Sequence, residues 1–121
     1  MKEGGVKPNE ETDALAILRR LTFSITGLPP TIEQQKGFEK AAAKDMGKAT
    51  ETVIDELLES PHFGERWARH WMDWVRYADS HGSEGDPGIP NAFRYRNYLI
   101  RALNADVSYD QLVLEHFAGD L

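Results

Sequence analysis

Apolar residues return every three or four positions along most of this chain, and the breaks between such stretches carry proline, glycine or capping residues. Ala14, Ile17, Leu21 and Ile25 stand at i, i+3, i+7 and i+11, with Leu15 and Leu18 beside them, which is one buried stripe of a first helix. Thr12 or Asn9 is the expected cap, and Gly27 followed by Pro29 and Pro30 is the expected stop. Thr31-x-x-Gln34 reads as a capping box opening a second helix, whose apolar face is weak (Ile32, Phe38, Ala41, Ala42) and whose interior holds Gly37. A polar connection over 45–50 leads to a third helix marked by Val53, Ile54, Leu57 and Leu58. Ser60 caps a fourth helix with Pro61 in its first position, and the pattern carries that helix to about Asp79.

Residues 79–91 hold Gly82, Gly85, Gly88, Pro87 and Pro90, so they form a long loop rather than an element. Asn91 is the expected cap of a fifth helix, with Tyr95, Leu99, Ala102 and Leu103 facing inward. Ser108-x-x-Gln111 is a second capping box and opens a sixth helix with Leu112, Val113, Glu115, His116 and Phe117, closed by Gly119. No stretch alternates with period two. The expectation is an all-α fold: one helical bundle of about six helices over 1–121, with 1–9 a frayed lead-in and a long Gly/Pro-rich loop between helices four and five.

Composition removes several function classes. The 14 Lys+Arg against 20 Asp+Glu leave a net charge of −6, which disfavours binding to nucleic acid through phosphates. No apolar run approaches the roughly 18 residues of a membrane span, and no signal peptide opens the chain. There is no cysteine, hence no disulfide, no thiolate site and no C-x-x-C-H haem attachment. The two halves also differ: all six cations after residue 60 are Arg, and all four His and three Trp lie there, so specified polar geometry belongs to the second half.

The fourth helix concentrates the chemistry. At 100° per residue, Trp67, Ala68, Trp71, Met72, Trp74, Val75 and Ala78 share one arc, and Arg66, Arg69, His70, Asp73, Arg76 and Tyr77 share the opposite one. The three Trp read as core anchors in preference to an aromatic platform for a sugar or base. Arg69, Asp73 and Arg76 are spaced for local ion pairs. The polar arc is either a solvated face or an interaction surface. Alternatively, His70 and Asp73 join groups of the following loop in a cleft. In that case His70, Asp73, Asp79, His81 and Arg94, with Asp86, are candidates for general acid–base work, and Asp79, His81, Glu84 and Asp86 for a divalent metal. No H-E-x-x-H or EF-hand spacing supports the metal, and Asp86-Pro87-Gly88 serves a turn equally well. Phe93-Arg94-Tyr95-Arg96-Asn97-Tyr98 interleaves Arg with aromatics, and given the net charge its partners are expected within the molecule, with Asp73, Asp79 and Asp106 as carboxylates. His62 and His116 read as structural or surface residues.

These blocks together carry a resemblance. Leu21-Thr22 through Thr26-Gly27-Leu28-Pro29-Pro30-Thr31 resembles the opening signature of a bacterial domain of unknown function that accompanies cytochrome c modules in planctomycete-type proteins. The run from Ser60 to Asp73, continuing Arg76-Tyr77-Ala78-Asp79-Ser80, is similar to its central motif. Asn91 to Arg96 and Tyr109-Asp110-Gln111 with Ala118-Gly119-Asp120-Leu121 follow in the family's order. The resemblance implies large exported proteins of the periplasm or cell envelope, with haem c only on an associated module and no cofactor on this chain. It implies companion domains as partners and supplies no catalytic residues, and the chain looks like a truncated piece of the family's usual extent. Two readings follow. One is a structural and interaction domain without activity of its own. The other is part of an envelope enzyme, hydrolytic or redox-linked, with a His/Asp/Arg site. Haem contact through His70 or His81 is a third, weaker idea.

Overall fold

A computed structural model describes residues 12–119, and the expected lead-in over 1–9 and the Asn9 cap lie outside them. The described chain folds into six helices and no named strand: α1 (Ala14–Ile25), α2 (Ile32–Ala42), α3 (Met46–Leu58), α4 (Pro61–Trp74), α5 (Phe93–Asn104) and α6 (Tyr109–Ala118). The all-α reading therefore holds. None of these helices is long and apolar enough to cross a membrane.

Buried residues gather in two clusters. In the first, Leu18 of α1 packs with Phe38 of α2 and Ala49, Val53 and Leu57 of α3. In the second, Ala68 of α4 packs with Leu99 and Ala102 of α5 and Leu112 of α6. α1 touches α4 where the clusters meet, and the Arg66 side chain of α4 covers Gly27 at the end of α1. Gly27 has φ +75°, and a Cβ there would stand 3.0 Å from Arg66 Cδ, so this position needs glycine for both backbone and space.

Capping follows the sequence in part. Thr31 and Gln34 close the reciprocal box on α2, with Gln34 N–H donating to Thr31 Oγ1 at 3.2 Å and Thr31 N–H to Gln34 Oε1 at 2.8 Å. Ser60 caps α4, with Pro61 in its first turn. Elsewhere the chain differs from the pattern. Asp13, not Thr12, caps α1 by accepting from Ala16 N–H at 2.8 Å. Residues 46–50 are helical, because Asp45 caps α3 through Lys48 N–H at 3.0 Å and so starts the helix two turns before Val53. Asn91 does not cap α5; it takes a left-handed φ of +65°, and Ala92 stands at the cap without a side-chain bond. Ser108 stands at the cap of α6 without bonding its N–H groups, and Gln111 turns away to Glu115 Oε1 at 2.9 Å.

The largest difference lies in α4, which ends at Trp74 rather than Asp79. Arg76 adopts φ +57° and Tyr77 N–H donates back to Met72 O at 2.9 Å, the long bond of a Schellman stop. That stop usually employs glycine, and an arginine in its place leaves no signal in the sequence. Arg76 and Tyr77 therefore do not belong to the helix's polar arc. The inward arc is corrected as well. Of the three Trp, only Trp71 joins Ala68 and Met72 at the core cluster; Trp67 is 43% and Trp74 75% exposed. A helix packed closely on α5 and touched by a few α6 side chains buries a narrow stripe centred on Gly64, Ala68 and Trp71, which leaves Trp67 and Trp74 exposed.

Candidate functional site

Three helices bring polar aromatic groups together around His116. On α6 its Nδ1 lies 2.6 Å from Leu112 O, one turn back. A carbonyl only accepts, so Nδ1 carries the hydrogen and Nε2 presents its lone pair. Tyr95 of α5 places its hydroxyl 2.6 Å from Nε2 and donates to it. Trp71 of α4 directs its indole N–H between the Tyr95 oxygen (3.2 Å) and His116 Nε2 (3.1 Å). The rings touch as well: the Tyr95 and His116 planes meet nearly edge-on with centroids 5.5 Å apart, and the Trp71 and His116 centroids are 5.2 Å apart. One imidazole thus ties α4, α5 and α6 together.

A second connection runs beside the first. Tyr98, one turn along α5 from Tyr95, donates to Glu115 Oε2 at 2.5 Å, and Gln111 donates to Glu115 Oε1 at 2.9 Å. Burial, and then the neighbouring Glu115 carboxylate, push the Tyr98 hydroxyl up to about 12. Donation from Tyr98, and then from Gln111, holds the Glu115 carboxyl below its ordinary value. Both shifts favour neutral Tyr98 and ionised Glu115 in the folded chain. The Glu115 contribution is therefore present above the carboxyl's unfolded value and lost as pH falls through its lowered folded one. The Tyr98 contribution is present below pH 10 and lost as pH rises through about 12. Chemical denaturation across pH should show stability falling at both limits, and Tyr98→Phe should flatten the alkaline one.

The candidates drawn from the fourth helix and the following loop lie at the surface. Arg69, His70, Asp73, Arg94, His81, Glu84 and Asp86 are all exposed. Arg66 is half-buried against Gly27, its Nε out of reach of solvent and without a protein partner, so it faces α1 rather than a cleft. The ion pairs expected among Arg69, Asp73 and Arg76 are not formed; among the described residues the pairs are His62–Glu65 at 2.8 Å and Arg96–Asp79 at 4.0 Å. The pairing of Arg96 with Asp79 is the intramolecular contact expected of the Arg–aromatic run. Asp79 also accepts from Tyr77 Oη at 2.5 Å, which raises the Tyr77 hydroxyl above its ordinary value, so these three residues pin the base of the long loop to α5. Above that base Ser80 and Gly88 form one antiparallel bridge, and Asp86 accepts from Gly82 N–H at 2.9 Å. Asp86 thus performs turn chemistry. Among the described residues no three His, Asp or Glu side chains gather in a metal-holding group.

Sequence reasoning placed Tyr95 inward but gave His116 no specific partner. The overlooked signal was the hydroxyl itself: an inward tyrosine needs an acceptor, and the remaining imidazole and carboxylate of the apolar α6 were the available ones. The chemistry of the cluster is that of a latch. Both imidazole nitrogens are engaged, and the Glu115 carboxylate takes one donor on each oxygen.

Aromatic residues spread outward from this latch. Trp74 and Tyr109 flank Trp71, with ring centroids 5.9 and 6.3 Å from it. Tyr109 is 71% exposed and Phe117, near the far end of α6, is 88% exposed. Val75 and Leu114 are exposed as well, and Arg69, His70 and Asp73 stand exposed on the last turns of α4.

The model of the PSCyt2 family, described as a protein of unknown function (DUF1549), matches residues 1–121. No curated protein and no solved structure matches the chain.

Proposed function

Because the chain belongs to the PSCyt2 family, a planctomycete cytochrome-c-associated domain of unknown function, we propose that it is a structural docking domain of a larger envelope protein, with haem c on an associated module. The observation that carries this reading is the exposure of Trp74, Tyr109 and Phe117 on two neighbouring helices. A large aromatic side chain left in water forgoes roughly 1.5–3 kcal/mol of burial, and exposed aromatic residues of this size are the anchors that an interface buries. Arg69, His70 and Asp73 supply a polar rim of the kind that surrounds such a centre. Beneath the face, the latch holds α6 at a fixed angle to α4, so both halves of the surface are presented together. An envelope enzyme built on His70, Asp73, Asp79, His81 and Arg94 has less support, since those groups are exposed and Asp79 is engaged with Tyr77 and Arg96.

Docking is tested with the companion regions of the same protein, expressed separately and titrated calorimetrically against this chain. Trp74→Ala and Phe117→Ala should each weaken association at least tenfold, and Arg69→Ala with Asp73→Ala should have a smaller effect. Undiminished affinity in the aromatic variants, or no association of the unaltered chain, overturns the reading.

A further inference from the structure

The first helical cluster carries a feature unrelated to the docking face: a hollow of about 630 Å³ along the α2–α3 hairpin. Small-molecule sites span roughly 300–1,000 Å³. The floor is apolar, formed by the buried residues Phe38, Ala49 and Val53. Gly37 stands in the α2 wall, and a Cβ built on it would meet nothing within 4 Å. A glycine inside a helix costs roughly 1 kcal/mol against alanine, and no close approach or unusual φ accounts for one here. Its visible effect is to keep the wall open.

The two ends of the hollow differ in charge. At the hairpin turn stand Lys44 and Lys48, both exposed, and among the described residues neither ammonium is paired with a carboxylate. Asp45 lies between them in sequence, with its carboxylate turned onto Lys48 N–H as the helix cap. At the open end of the hairpin stand Glu33 and Glu56. An occupant with one anionic end is attracted at the turn and repelled at the opening, which sets its direction. We infer that this hollow binds a small apolar carboxylate, an alkanoic or arylalkanoic acid, with its carboxylate between Lys44 and Lys48 and its hydrocarbon body over Phe38 beside Gly37.

Octanoate is a suitable probe and octyltrimethylammonium its charge-reversed counterpart, each titrated into the ¹⁵N-labelled chain while amide shifts are followed. Octanoate should give saturable shifts confined to 33–56, and the cation should bind at least fivefold more weakly. Lys44→Gln with Lys48→Gln, at two exposed positions, should raise the octanoate Kd at least fivefold, and Gly37→Trp should abolish the shifts by filling the wall. The inference falls if octanoate gives no saturable shift, if its shifts centre on Trp74 and α6, if the cation binds equally well, or if the lysine variant binds unchanged. Failure of octanoate to bind the hollow leaves the docking reading standing, since that reading concerns the other cluster and is tested with a protein partner.

Discussion

Gly64→Ala should destabilise the chain by about 2–3 kcal/mol, the upper part of the range for overpacking a close helix contact. Gly64 is buried where α4 crosses α5, and a Cβ there would lie 2.5 Å from both Ile100 O and Asn104 Oδ1. One of these is backbone, so it cannot rotate aside. The other is held by two bonds: Asn104 Oδ1 accepts from Gly64 N–H at 2.7 Å, and its Nδ2 donates to Pro61 O at 3.0 Å. The methyl therefore forces the helices apart and also breaks the clamp that joins the start of α4 to the end of α5. Urea unfolding should show a lower midpoint at unchanged slope. An unchanged midpoint would mean that α4 and α5 do not approach this closely.

His116→Ala should cost about 2–3 kcal/mol, with the loss concentrated in α6. Two effects add. Removal of the ring leaves a partly buried cavity among Trp71, Tyr95 and Tyr98. The Tyr95 hydroxyl also loses its acceptor, and the Trp71 N–H loses one of the two it shares. α6 has only Leu112 fully in the core, so its attachment depends on these side-chain bonds more than that of the other helices does. Amide exchange should quicken over 109–118 while α1–α3 keep their protection. If α6 stays as protected as in the unaltered chain, His116 is not its latch. Loss of the latch would also release α6, with Tyr109 and Phe117, from α4, so this variant is expected to weaken docking without touching an exposed residue.

The helices and most of their starts were legible because their causes are local. The period of Ala14, Ile17, Leu21 and Ile25, the Thr31–Gln34 box and the Ser60-Pro61 start each depend on residues within a few positions of one another. The end of α5 at Asn104 matches the pattern, but the stop of α4 was not legible. Arg76 and Asp106 both take left-handed backbone at the ends of α4 and α5, where Tyr77 and Val107 donate back to Met72 and Ala102. Aspartate tolerates that conformation, whereas nothing in an arginine announces it. It is selected because continuing the helix would carry the chain away from the contacts that follow.

The candidate site shows the same division. A wheel drawn through Trp67, Trp71 and Trp74 shows which residues share an arc, but not how wide a stripe the neighbours cover. Only packing against α5 and α6 decided that Trp71 is in and Trp74 is out. By itself the sequence determined the all-α class, the order of the helices, the loop between the fourth and fifth, and the family. Tertiary structure alone decided that the buried residues form two clusters, that His116 joins three helices, and that Trp71 is packed while Trp67 and Trp74 are exposed. The physical reason is range: helical period and capping act over a single turn, whereas a hydroxyl finding an imidazole 21 residues away depends on where the whole chain has already gone.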